Sequence, residues 1–309
     1  MHRTLEITVP TTTTDALCHE LTDLDSVIGL SVQRGASWKP PGDVLIVHVL
    51  NRGADEVLRR VGAAVSDKNA LSVVTSEVAS IISPQSYKTV DNDRDEAIWE
   101  EMESGLRHQG RITPNYLLLM ALGGIIAAVG LVSEPVPQAV AFVASAIIAP
   151  GFDPMTKVSL GLVLQRWRLV GRGLVSALAG YAILVLMAGL TMALLVAVGE
   201  TSASALVTNP EVEHLQHPKW MELLVAAAGA LAGVVMLAAF RRSFQAGPLI
   251  AMAFIPAAAL IGAGLAVGRV DLAREGLERF LADWGFIVAL GVPFLWLKQH
   301  FLHKREPLV

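Results

Sequence analysis

The chain has 309 residues, 53% of them hydrophobic and 17% charged, with a mean hydropathy of +0.53. An average soluble domain is about 25% charged, so a uniformly soluble globule is excluded. Residues 1–114 hold 17 acids and 11 bases, whereas residues 115–309 hold 11 acids and 13 bases. This division implies an acidic, water-facing part followed by an apolar one. The single cysteine, Cys18, excludes an intramolecular disulfide and a Cys-based metal cluster.

The first ten residues alternate apolar and polar side chains and carry no apolar h-region, so the first apolar span is expected to direct membrane insertion. Thr4 to Val9 reads as a strand with Leu5, Ile7 and Val9 on one face. Thr12 to Leu24 suits a short helix, and Val27 to Gln33 and Val44 to Leu50 read as strands. The stretch Gly35 to Gly42 between them, with Pro40-Pro41, reads as a hairpin loop. Ala54 to Val65 is helical by the spacing of Val57, Leu58, Val61 and Val65, and Leu71 to Val78 closes the set as a strand. The order β-α-β-β-α-β predicts a small α+β ferredoxin-like soluble domain over residues 1–85. Its expected role is structural or oligomerising, with effector sensing as the alternative.

Residues 86–111 read as an acidic juxtamembrane linker helix. Seven acids (Asp91, Asp93, Asp95, Glu96, Glu100, Glu101, Glu103) surround a narrow apolar stripe that includes Ile98, Met102 and Leu106. A solvated helix is the simpler expectation, and an acidic vestibule at a pore mouth the sharper one.

Residues 112–298 are expected to form the membrane domain, mostly α-helical, with about six spans. Ile112 to Ser133 is 22 residues without a charge, against the roughly 20 that cross a bilayer core. Pro135 to Phe152 follows and resumes at Met155 to Leu164 after Asp153, and then come Gly173 to Gly199, Leu223 to Phe240, Ser243 to Gly268 and Leu277 to Leu297. The Lys/Arg distribution (Arg166, Arg168, Arg172, Arg241, Arg242, Lys298, Lys304 and Arg305 against Lys219, Arg269, Arg274 and Arg279) predicts both termini in the cytoplasm. Residues 299–309 form a basic tail. A bacterial-type inner membrane suits the pattern.

Sliding the chain by 103 residues sets Leu160–Leu174 on Ala263–Leu277 with six of fifteen positions identical, including Gly161/Gly264, Arg166/Arg269 and Gly173/Gly276. Two halves of three spans each predict a 3+3 inverted repeat. The second span of each half carries proline: Pro150-Gly151-Phe152-Asp153-Pro154 in one and Ile255-Pro256 in the other. Two prolines four apart should unwind a turn, and unwound backbone at membrane depth persists only inside protein or along water. The candidate solute or ion path therefore comprises Pro150, Gly151, Asp153, Pro154, Thr156, Lys157, Ser159 and Pro256. Asp153 and Lys157 are four apart on one helix face, and a neutralised internal pair and a group on a path both remain open. His214 and His217 have a spacing that permits one metal ion, although a solvated loop is the simpler reading. No metal-binding helix motif, nucleophile–base pair, cofactor motif or nucleic-acid signature stands out.

Asn115-Tyr116-Leu117-Leu118-Leu119, Ser145-Ala146-Ile147-Ile148-Ala149-Pro150 and Ile255-Pro256 resemble the uncharacterised hydrophobic membrane proteins called domain-of-unknown-function 389. The resemblance covers residues 115 to about 298 and implies a membrane protein with a small domain in front. Asp153 departs from the family pattern, in which small residues, Met and Gly follow the first proline. The resemblance implies neither substrate nor mechanism. The expected function is a transporter or channel for a small solute or ion. The competing expectation is a membrane-anchored sensor or scaffold, homo-oligomeric in either case.

Overall fold

The computed structural model describes residues 2–78, 80–93, 98–108, 110–239 and 246–302. Asp95, Glu96, Phe240, Arg241, Arg242, Ser243, Lys304 and Arg305, used above, lie outside them, as does most of the 299–309 tail. The chain divides into two compact units, with boundaries in sequence after Met102 and after Lys298.

In the first unit, strand β1 (His2–Val9) is followed by helix α1 (Thr14–Thr22), strands β2 (Val27–Trp38) and β3 (Pro41–Val49), helix α2 (Asn51–Ala64) and strand β4 (Ser72–Val78). The four strands form one sheet in the order β2-β3-β1-β4, every neighbouring pair antiparallel. Alternation along β1 points Leu5, Ile7 and Val9 into one core, where they meet Leu45, Val47 and Val49 of β3, Leu17 and Leu21 of α1, and Val57, Leu58 and Val61 of α2. The expected hairpin loop from Gly35 to Gly42 is shorter than the prolines implied. Pairing resumes at Ser37↔Gly42 and Trp38↔Pro41 after an irregularity between Gln33 and Ser37, where Gly35 takes φ +61°. The bulge absorbs the glycine without ending the strand.

The acidic linker is two helices, α3 (Tyr87–Asp91) and α4 (Trp99–His108). Its acids are not uniformly solvated. Glu101 is 8% exposed and accepts an ion pair from buried Arg3 at 2.8 Å, while Glu103, 4% exposed, pairs with Arg107 one turn on. Ile98, Trp99, Met102 and Leu106 are buried, so the apolar stripe is real and the acids flanking it are drawn in with it.

The second unit is all helical. Helix α5 (Pro114–Gly130) starts where the Thr113 hydroxyl accepts the Tyr116 amide at 3.1 Å and Pro114 occupies the first position. It is followed by α6 (Pro135–Ile148), α7 (Phe152–Val163), α8 (Trp167–Ala197), the short α9 (Ala203–Val207) and α10 (Pro210–Gln216), α11 (Trp220–Ala238), α12 (Ala246–Ala251), α13 (Phe254–Ala266) and α14 (Val270–Leu297). Three of these, α8, α11 and α14 with its C-terminal extension, are long and apolar enough to cross a membrane. A fourth span results if the bent pair α6–α7 counts as one, and α5 and α13 are shorter apolar helices. Helix α14 begins seven residues before the Leu277 expected for the last span, and this places charged residues inside a helix rather than ahead of it.

Bare backbone lets the helices approach closely. A Cβ on Gly124 of α5 would lie 2.4 Å from the Leu184 carbonyl oxygen, and one on Gly262 of α13 would lie 2.0 Å from that of Val185. Helix α8 is thus held between α5 and α13 at adjacent residues, where so close an approach of backbones gains dispersion energy.

Candidate functional site

Helix α6 ends at Ile148, Ala149 takes an extended conformation, and α7 starts at Phe152 with its axis bent by 52°. The unwound stretch is therefore Ala149-Pro150-Gly151 alone. Pro154 does not extend the break, because it is the third residue of α7, where an amide has no intrahelical partner to lose. The second break is placed likewise. It falls at Met252-Ala253, with Ala253 at φ +51°, and Pro256 is the third residue of α13.

The two breaks adjoin. A Cβ built on Gly151 would meet the Tyr181 hydroxyl at 2.1 Å and Ile255 Cδ1 at 3.4 Å. Tyr181 packs edge-on against Phe254 (centroids 5.3 Å apart) and Phe280 (4.7 Å), and Phe254 and Phe280 are 4.6 Å apart. An aromatic cluster from α8, α13 and α14 thus closes over the point where the interrupted helices meet.

The polar candidates of α7 diverge from there. Asp153 is 8% exposed in the first turn, where the helix dipole favours an acid. Thr156 donates to the Asp153 carbonyl at 3.0 Å, spending its hydroxyl on its own helix. Ser159 donates to the Ile287 carbonyl of α14 at 3.2 Å. Lys157, 2% exposed, donates to the Gly110 carbonyl at 2.9 Å and lines a cavity of about 660 Å³ with Arg107, His108, Arg111, Arg172 and Ser176. Pro256 lines a second cavity, of about 260 Å³, with Gln138, Glu211 and Ala253.

A third cavity, of about 350 Å³, is lined by Glu211, His214, Leu215, Glu222, Ala253 and Arg279 among others. Four of its positions stand 103 residues after four that line the cavity of Lys157: His108/Glu211, Arg111/His214, Ile112/Leu215 and Ser176/Arg279. The offset recurs in backbone geometry. Arg166 donates to the Gly161 carbonyl and Arg269 to the Gly264 carbonyl, both at 2.8 Å. Gln165 and Gly268 take φ +54° and +73° as the left-handed residues that end α7 and α13.

His214 Nδ1 lies 3.0 Å from Glu222 Oε1, and among the described residues no group of three His, Cys, Asp or Glu side chains is placed to hold a metal ion.

Residues outside the sequence-derived set also bear on the site. Arg279 and Asp283 form a buried pair within α14, 3.4 Å apart and 4% and 0% exposed. Their spacing of four was visible, but an α14 starting at Leu277 would have left them near its wet end. Tyr181, Phe254 and Phe280 carried no signal at all, because aromatic residues in an apolar span do not reveal which of them meet.

No curated protein and no solved structure matches the chain. Residues 146–289, which run from the end of α6 into α14 and contain both breaks, match the family described as Domain of unknown function (DUF389).

Proposed function

We propose that the helical unit is a transporter or channel for a small solute or ion. In this reading α5, the broken pair α6–α7 and α8 form one half, and α11, the broken pair α12–α13 and α14 form the other, giving six spans in a 3+3 inverted repeat. One observation carries the reading: two cavities are lined by residues 103 apart in sequence, and α7 and α13, which follow the adjoining breaks, begin 102 residues apart and end 103 apart. In an inverted repeat, equivalent cavities open toward opposite faces of the membrane. The cavity of Lys157 is then the cytoplasmic vestibule and that of Arg279 the outer one, as the Lys/Arg distribution favours. The aromatic cluster of Tyr181, Phe254 and Phe280 is the closed gate between them.

The N-terminal unit is read as a ferredoxin-like domain, supported by its strand order β2-β3-β1-β4 and its two helices on one core.

Full-length protein in proteoliposomes, assayed for efflux of potassium, chloride and inorganic phosphate, tests the function. Asp153→Asn in a well-folded protein is expected to change the rate or its pH dependence. An unchanged flux removes Asp153 from the path, and no efflux of any probe by the wild type counts against the transport reading itself.

A further inference from the structure

The geometry points to a binding site for a phosphate-type oxyanion in the cavity lined by Lys157, Arg111 and Arg172. Its floor is an ammonium buried to 2% exposure, and among the described residues that ammonium makes a single hydrogen bond, to the Gly110 carbonyl at 2.9 Å. An ammonium has three donors, so two are left to a ligand. A buried charge without full pairing is costly. A cavity of about 660 Å³ beside it provides the place where an anion would repay that cost.

The rim matches the floor. Arg107, Arg111 and Arg172 are exposed and line the same cavity, His108 stands between the first two in sequence, and Ser176 adds a hydroxyl. The neighbouring acids do not balance these charges. Glu103 is engaged by Arg107, and Asp153 acts on Lys157 from the same helix. Three arginines and Lys157 against two carboxylates leave the cavity net positive.

Guanidinium groups present forks of donors that fit the oxygens of phosphate two at a time, and a lysine serves as a point charge beneath them. A single-atom anion uses neither geometry fully. The repeat-equivalent cavity has Glu211 and His214 where this one has His108 and Arg111, so it lacks the same cationic rim. The recognising chemistry is a phosphate group, carried either by a lipid headgroup or by a free anion, and it is independent of whether anything crosses the membrane.

The test uses the full chain. Thermal unfolding is followed in dodecylmaltoside micelles alone, the same micelles with inorganic phosphate added, and micelles containing phosphatidylglycerol, at matched ionic strength. The wild type is expected to gain stability from one of the two additions. Arg111→Gln/Arg172→Gln, which changes only exposed side chains, is expected to lose that gain while keeping its stability in the plain micelles. A gain from inorganic phosphate identifies a free oxyanion, and a gain confined to phosphatidylglycerol identifies a lipid headgroup. No gain from either, or a gain that the double variant retains, overturns the assignment. Should the double variant fold poorly, Arg172→Gln alone is read in the same way.

Discussion

The hydroxyl of Tyr181 occupies the space that a side chain on Gly151 would need, 2.1 Å from the position of its Cβ. Glycine at the first break is therefore dictated by a neighbour on α8. Gly151→Ala is expected to destabilise the protein by about 1–3 kcal/mol, the usual range for overpacking. Tyr181→Phe removes the obstructing oxygen and leaves ring carbon Cζ at 3.0 Å, so Gly151→Ala/Tyr181→Phe should recover much of the loss. Alone, Tyr181→Phe should be neutral or slightly stabilising, because the buried hydroxyl has no partner among the described residues. Thermal unfolding in detergent measures all three, and a double variant no better than Gly151→Ala would disprove the contact.

Gln165 ends α7 at φ +54°, whereas Gly268, 103 residues later, ends α13 at φ +73°. A left-handed conformation costs an L-residue about 1–2 kcal/mol relative to glycine. Gln165 is exposed and the hydrogen bonds of the helix end come from backbone. Gln165→Gly should therefore raise the unfolding temperature, whereas Gly268→Gln should lower it. Equal and unchanged temperatures would show that backbone strain at these ends is negligible.

The buried pair Arg279–Asp283 makes a prediction about non-additivity. Removing one partner strands a buried charge at a cost of about 3–5 kcal/mol, while replacing both by apolar groups is often neutral. Arg279→Met is thus expected to be much less stable than Arg279→Met/Asp283→Leu in thermal unfolding. Additive losses would mean that the two side chains do not act as a pair.

Acid should loosen the sheet of the first unit. The Gly35 amide, the Thr14 hydroxyl and the Arg34 guanidinium all donate to Asp43, and they hold its carboxyl below the usual range. Glu56 is lowered likewise by Arg59 and Arg60. A depressed folded value means that the stabilisation is complete above the unfolded value of ~3.9 and is lost as pH falls through the folded one. The protection of the β3 amides from hydrogen exchange, taken relative to the intrinsic rate at each pH, should fall below about pH 4. Asp43→Asn removes the titration, so the variant should exchange faster near neutrality and change less on acidification. An acid response of undiminished size in that variant would assign it to other groups.

The strands and helices of the first unit were readable because alternation and helical spacing leave a strong imprint where one face meets water. Leu5, Ile7 and Val9 on β1 and Val57, Leu58 and Val61 on α2 are such cases. The long apolar helices α8, α11 and α14 were readable, but their ends were not, and α5 and α13 are shorter than the spans expected there. A helix buried on all sides has no polar face to mark where it starts, and α14 begins at Val270 among charges. Proline located the breaks to within a few residues, yet Pro154 and Pro256 belong to the helices after them, since a helix start tolerates a missing amide. Lys157 was legible as a charge in an apolar span. Its cavity was not, because Arg107, Arg111 and Arg172 come from segments far apart in sequence.

The inverted arrangement requires the two cavities to open to opposite faces of the membrane. Cys18 is the chain's single cysteine, so a Cys18→Ser background makes every introduced thiol unique. Arg111→Cys and His214→Cys, 103 residues apart, would each be probed with a membrane-impermeant maleimide in sealed vesicles of known orientation. The inverted halves predict that Arg111→Cys is labelled from the face bearing the N-terminus and His214→Cys only from the other. Labelling of both from the same face would contradict the inverted arrangement, and with it the path between the two cavities.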